Sequence, residues 1–126
     1  MVIVSHSIKV AEGIRDITQQ MAKEVNIIAA GGTDEGEIGT DALKIQAAIL
    51  DANTGDGVII MVDLGSAVLS AETALDFLDE ELRKDVRIAD APIVEGAIVA
   101  AVQASTGATL KEVINTANEA YTLRKL

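Results

Sequence analysis

The chain has 126 residues, of which 49% are hydrophobic, with one Phe, one Tyr, no Trp and no Cys. That length predicts a single domain that removes roughly two thirds of its unfolded surface from water, with Val, Ile, Leu and Ala filling the core. Ten Lys and Arg against twenty Asp and Glu leave a net charge of −10, which disfavours nucleic acid and anionic lipid as partners; the absence of cysteine excludes disulfides and thiolate chemistry.

Met1 to Ser5 reads as an apolar strand that gives way, at the only histidine, His6, to a helix beginning near Ser7. Val10, Ile14, Ile17 and Met21 recur at helical spacing, with Lys9, Glu12, Arg15 and Asp16 on other faces, which predicts an amphipathic helix. Val25 to Ala30 reads as a second strand, buried on both faces and ending at Gly31-Gly32. A polar glycine-rich loop runs to Glu37, and Ile38, Ala42, Ile45 and Ile49 restore helical spacing until the turn signal Asn53 to Gly57. Val58 to Val62 is apolar throughout and ends at Asp63, a clear third strand. Leu64-Gly65-Ser66 turns the chain into a helix with a buried stripe of Val68, Ala71, Leu75, Leu78 and Leu82, its charged end running to Lys84. Val86 to Ala89 alternates as expected of a strand near the sheet's edge. Pro92 suits the first turn of a further helix that ends near Ser105-Thr106-Gly107 and is apolar on two sides, with Ile93, Ala97 and Ala101 on one and Val94, Ile98 and Val102 on the other. The second side suits burial against another subunit. Thr109 and Glu112 make a capping box, worth about 1 kcal/mol, for a last helix with Leu110, Val113, Ala117 and Tyr121 on its inner side.

Alternating strands and helices predict an α/β domain across residues 1–126: a doubly wound, four-stranded, mainly parallel sheet of order 2-1-3-4 with helices on both faces. No apolar stretch is long enough to span a bilayer, and the N-terminus carries no basic-then-apolar leader. A cytoplasmic protein is the expectation.

In that strand order the first and third strands are neighbours, with carboxyl ends about 4.8 Å apart. His6 and Asp63 end those two strands. The Asp63 carboxylate is then placed to accept a hydrogen bond from the Nδ1–H of His6, leaving Nε2 as the free, nucleophilic nitrogen. Two helices begin beside this point, after Ser7 and after Leu64-Gly65-Ser66, and their unpaired amides offer donors to an anion, with Gly65 allowing close backbone approach. A nucleophile, an orienter and a phosphate cradle together point to a histidine that carries a phosphoryl group.

Blander readings exist for each part. A lone histidine beside a strand is commonly a packed residue, and the coincidence with Asp63 is what favours chemistry. Asp63 alone would serve as a helix cap, and Ser5, Ser7 and Ser66 as caps and turn formers. The glycine-rich loop would serve as a solvated connection, yet it leaves the second strand's carboxyl end and borders the same crevice. Gly31 to Gly36 does not match the dinucleotide fingerprint, no phosphate-loop lysine motif exists, and no glycine-flanked serine elbow is present. One histidine without cysteines argues against a transition-metal site, so no metal is expected.

Val2-Ile3-Val4-Ser5-His6-Ser7 with Ala11-Glu12-Gly13, Gly31-Gly32-Thr33 with Ile38-Gly39-Thr40, and Val62-Asp63-Leu64-Gly65-Ser66 together resemble the phosphotransferase subunits of phosphoenolpyruvate-dependent dihydroxyacetone kinases, whose domain is similar to mannose-type enzyme IIA. The resemblance covers essentially the whole chain. It implies a relay in which the histidine-containing phosphocarrier protein loads Nε2 of His6, and His6 passes the phosphoryl group to ADP on the ADP-binding kinase subunit. It further implies that Asp63 contacts the imidazole, that the chain itself binds no cofactor, ADP and magnesium being held by the partner subunit, and that the chain forms a homodimer. Some relatives are fused to phosphocarrier and enzyme I-like domains; a chain ending at Leu126 implies separate proteins for those functions. Mannose-type domains usually carry an additional strand where this C-terminus reads as helix.

A carrier must bind donor and acceptor over the same exposed ring, so the partner surface is expected around His6, with contributions from Ser7, Lys9, Gly31, Gly32, Thr33, Gly39, Leu64, Gly65 and Ser66. The competing readings are a sugar-transport enzyme IIA of the mannose type, a receiver phosphorylated on Asp63, and a noncatalytic acidic binding module. The receiver lacks further carboxylates after the first strand, where Ser5-His6 stands.

Overall fold

Four short aliphatic runs pair into one sheet in the computed structural model, which describes residues 1–126. They are β1 (Val2–Ser5), β2 (Ile28–Gly31), β3 (Val58–Val62) and β4 (Val86–Ile88), all parallel, in the order β2-β1-β3-β4. The helices are α1 (Ile8–Met21), α2 (Ala42–Ala52), α3 (Gly65–Asp76), α4 (Glu80–Arg83), α5 (Ile93–Ser105) and α6 (Leu110–Asn118), followed by a 3-10 turn over Glu119–Thr122.

Because successive strand side chains point to opposite faces, β1 and β3 feed two separate cores. Ile3 and Met61 pack with Ala11 and Ile14 of α1, Ala97 and Ala101 of α5 and Val113 of α6. Val2, Val4 and Ile60 pack on the other face with Ile45 and Ile49 of α2 and Ala67, Ala71 and Ala74 of α3. The many alanines let helices approach the sheet closely, and the doubly wound arrangement expected from the sequence is the one observed.

Several expected details differ. The buried face of α1 is Ala11, Ile14 and Thr18, while Val10, Ile17 and Met21 are exposed. Close contact with β2 selects small residues: a Cβ on Gly31 would stand 2.5 Å from the Ser7 carbonyl oxygen and 2.8 Å from the Ala11 Cβ. The second strand begins at Ile28, not Val25, and is an edge strand with two half-buried residues, so it is not buried on both faces. Helix α2 starts at Ala42 because Asp41 caps it, accepting from the amides of Leu43 and Lys44, which leaves Ile38 exposed in the loop. The helix expected through Lys84 breaks after Asp76, and Asp79 starts α4 by accepting from the Leu82 amide at 2.9 Å. Tyr121 lies in the 3-10 turn and is exposed, not on the inner side of α6. Thr109 caps α6 through the Glu112 amide, as its spacing predicts.

On the second side of α5, Val94 and Val102 are exposed and Ile98 is half-buried. No helix is long and apolar enough to cross a membrane. The register Val4↔Val62 brings the carboxyl ends of β1 and β3 side by side, and that alignment positions the site.

Candidate active site

His6 follows the last residue of β1 and Asp63 follows the last residue of β3, so the sheet register alone makes them neighbours. The His6 ring nitrogen Nδ1 lies 3.0 Å from Asp63 Oδ1. The imidazole is not sealed in hydrocarbon: about a fifth of its side-chain surface (21%) is open to solvent.

The carboxylate is enclosed by donors on both oxygens. Oδ1 faces the His6 ring and accepts from the Leu64 amide at 2.8 Å; Oδ2 accepts from the His6 amide at 3.0 Å and the Ser5 hydroxyl at 2.9 Å. Burial opposes ionisation of Asp63, but the hydrogen bonds from the His6 amide, the His6 ring and Ser5 outweigh it and hold the carboxyl below its ordinary value. An ionised carboxylate only accepts, so the proton of the neutral imidazole sits on Nδ1 and the lone pair on Nε2.

Ser66 Oγ lies 2.8 Å from that Nε2. With the tautomer fixed, the serine is the donor. Leu64, the residue before α3, supplies no capping side chain, and no protein acceptor meets the amides of Gly65 and Ser66. Beside the nucleophilic nitrogen there is thus a hydroxyl and the open N-terminus of a twelve-residue helix, a combination that favours an anion with several acceptor oxygens.

The family described as PTS system fructose IIA component, EIIA-man, matches residues 1–114. The chain belongs to this family. Relatives of the EIIA-man chain include the phosphoryl donor subunit DhaM of a PEP-dependent dihydroxyacetone kinase 2 from Listeria innocua, 46% identical across 91% of this chain and 96% of that protein. A DhaM phosphoryl donor subunit from Providencia stuartii is 44% identical across 95% of this chain. There the chain spans about a quarter of the relative's length (26%). A crystal structure of a protein of unknown function, EF1359, superposes with a TM-score of 0.83 at 40% identity, covering 93% of this chain and 90% of that one.

The other residues expected at the EIIA-man site divide into two groups. Ser7 caps α1 by accepting from the Val10 amide at 3.3 Å, and Lys9 is exposed on the same first turn. Leu64, Gly65 and Ser66 are exposed beside the imidazole. Gly31 and Gly32 are buried and present no surface to a partner; both press against α1, so glycine is required by close packing, and Gly32 also has a φ of +69°. Thr33 folds the loop, its hydroxyl accepting from the Glu37 amide at 3.1 Å, and the Gly39 amide donates to the His6 carbonyl at 2.9 Å. Of these loop residues, Gly39 bonds His6 directly, and the others fix the loop against the end of β1 and the start of α1. Sequence reasoning did not find the ammonium of Lys44, which donates to the Gly31 carbonyl at 2.8 Å, nor the Thr40–Ser70 hydroxyl pair that ties the loop before α2 to α3.

Proposed function

We propose that His6 is a phosphoryl carrier that takes its group from a histidine-containing phosphocarrier protein and delivers it to ADP, bound with magnesium on the ADP-binding subunit of a dihydroxyacetone kinase, in the cytoplasm. The observation that carries this reading is the tautomer clamp: one ring nitrogen is committed to Asp63, and the other faces outward among donors. The names of the relatives, phosphoryl donor subunits of such kinases, supply the substrate chain.

In the loading step Nε2 attacks the phosphorus of the incoming phosphohistidine. A new N–P bond forms as the donor's N–P bond breaks, and the donor ring keeps the electron pair. The ring of His6, still protonated on Nδ1, becomes cationic, and the Asp63 carboxylate balances that charge. Ser66 gives up its bond to Nε2 and donates to a phosphoryl oxygen alongside the Gly65 and Ser66 amides. In the unloading step a β-phosphate oxygen of ADP attacks phosphorus and neutral imidazole leaves. The chain itself needs no cofactor for either step, because the chemistry rests on position and on dipoles it already holds.

Ile38 (77% exposed) on the loop after β2, Leu64 just before α3 and Leu69 within α3 are exposed apolar residues on the segments that flank His6. Asp34, Glu35 and Glu37 lie exposed in the same loop. A partner with an apolar patch flanked by cations fits such a surface. A homodimer is part of the proposal: α1 packs beside α5, and Val10, Ile17 and Met21 of one with Val94 and Val102 of the other leave apolar surface that suits a second copy.

A receiver phosphorylated on aspartate fits poorly, because both Asp63 oxygens are already engaged by donors. The test is stepwise transfer with purified phosphoenolpyruvate, enzyme I and phosphocarrier protein. Label is expected on the native chain and absent from His6→Ala, and adding the kinase's ADP-binding subunit with ADP should yield ATP. Label that survives His6→Ala, or that moves only to a sugar-transport protein, would contradict the proposal.

A further inference from the structure

Ser5 is a buried polar residue that bonds Asp63 but does not touch the His6 ring; no part of it reaches solvent. At the end of β1 its Oγ accepts from the Ser7 amide at 3.1 Å and lies 2.9 Å from Asp63 Oδ2. Oδ2 belongs to an ionised carboxylate that has no proton to give, so the single hydroxyl proton of Ser5 points at it. Both directions of this hydroxyl are therefore assigned.

We propose that Ser5 is a positioning residue for phosphoryl transfer: its hydroxyl fixes the Asp63 carboxylate in the rotation that presents Oδ1 to the His6 ring, and thereby fixes which ring nitrogen is free. This rests on the reading of His6 as the phosphoryl acceptor. A carboxylate turns easily about its terminal bond, where the rotational preference is broad. Here the turn is resisted by two donors on each oxygen, and three of the four groups belong to His6 or to the neighbouring Leu64. Ser5 is the only side chain other than the imidazole that holds the carboxylate, and it does so from inside the core, where no water stands ready to replace it. Through its second bond it also ties the carboxylate to the first turn of α1, the helix whose start defines where His6 leaves the strand. A serine that only closed the turn would need the Ser7 bond and nothing more.

The inference is tested with Ser5→Ala, Asp63→Asn, the double variant, and Ser5→Thr, which keeps a hydroxyl on a residue suited to a strand. Two readouts are taken: the rate of phosphoryl transfer to His6, and the ring tautomer of His6 by 15N NMR. Ser5→Ala should slow transfer roughly tenfold, the scale of one hydrogen bond to a charged group, and should replace the single Nδ1–H tautomer by a mixture. In the Asp63→Asn background the same change should slow transfer less than about twofold, because a residue acting through Asp63 has nothing left to act on. Ser5→Thr should return the native tautomer. An unaltered tautomer in Ser5→Ala, or a tenfold loss that persists in the Asp63→Asn background, overturns the proposal. The NMR readout needs no phosphoryl donor, so a native chain that fails to become phosphorylated would count against the carrier reading while Ser5 is still judged on the ring.

Discussion

A hollow of about 670 Å³ lies at the amino ends of the strands among Met1, Asn26, Gly57 and Ser105; His6 and Asp63 stand at the opposite end, where a groove of about 430 Å³ runs past Asp63, Leu64 and Ile88. The difference is one of helix direction, not of size. Each βα unit starts its helix at the carboxyl end of its strand, so α1, α2 and α3 all begin on the His6 side; Ser7 and Asp41 cap the first two, and the start of α3 has no capping side chain. The hollow at the amino end receives the last residues of α2 and α5 instead, Ala52 and Ser105, together with the carboxylates of Glu24 and Asp56. Helix α6 does begin there, but Thr109 already caps it. The uncapped start of α3, beside His6, is the helix terminus that offers free amides to a phosphoryl group.

The largest expected effect that separates the two ends comes from paired carboxylate-to-amide changes. Asp63→Asn should slow transfer to His6 by at least about a hundredfold, the scale on which positioned acid–base and orienting groups act. Asp56→Asn, at the amino-end hollow, should leave the rate unchanged in the same quenched-flow assay. Equal losses would mean that the two ends are not distinct in function.

A second contrast concerns packing behind the site. Gly31→Ala forces a Cβ to within 2.5 Å of the Ser7 carbonyl, and should destabilise the fold by about 1–3 kcal/mol in urea denaturation. Gly13 lies inside α1, where an added Cβ would meet nothing within 4 Å, and its replacement by Ala should stabilise the fold by about 0.5–1 kcal/mol. A neutral Gly31→Ala would show that the loop behind His6 is not held against α1 as described.

The smallest effect is a pH dependence. Asp63 is held below its ordinary value in the folded state, so the unfolded chain takes up this proton first as pH falls. The contribution of Asp63 to stability is therefore complete above the ordinary aspartate value of about 4 and fades as pH drops through the lower folded value. The stability difference between the native chain and Asp63→Asn should be constant near neutrality and shrink in that acid window. A difference that does not change with pH would remove the hydrogen-bonded carboxylate from the account.

The sheet was legible because β3 is an unbroken apolar run, Val58 to Val62, closed by turn residues at both ends. The alternation with helices pointed to a parallel sheet, and the common doubly wound order, which the sheet has, placed Asp63 beside His6. The inner face of α1 was legible only at Ile14: apolar spacing also favours Val10, Ile17 and Met21, whereas the strand contact needs the small Ala11 against Gly31. Ser5 and Ser66 were visible as residues but read equally well as turn formers. Their partners lie 58 and 60 positions away along the chain, and no local pattern encodes such a pairing. The helix break before Asp79 was missed for a related reason: Leu78 and Leu82 keep helical spacing across it, packing half-buried against the same core.

In the proposed relay one ring nitrogen of His6 is committed to Asp63 while the other exchanges phosphorus. Phosphorylating 15N-labelled protein through the phosphocarrier and recording 31P–15N coupling tests this most directly. Phosphorus is expected on Nε2 of His6 with Nδ1 still carrying its proton; phosphorus on Nδ1, or on the Asp63 carboxylate, would rule out the proposed carrier geometry.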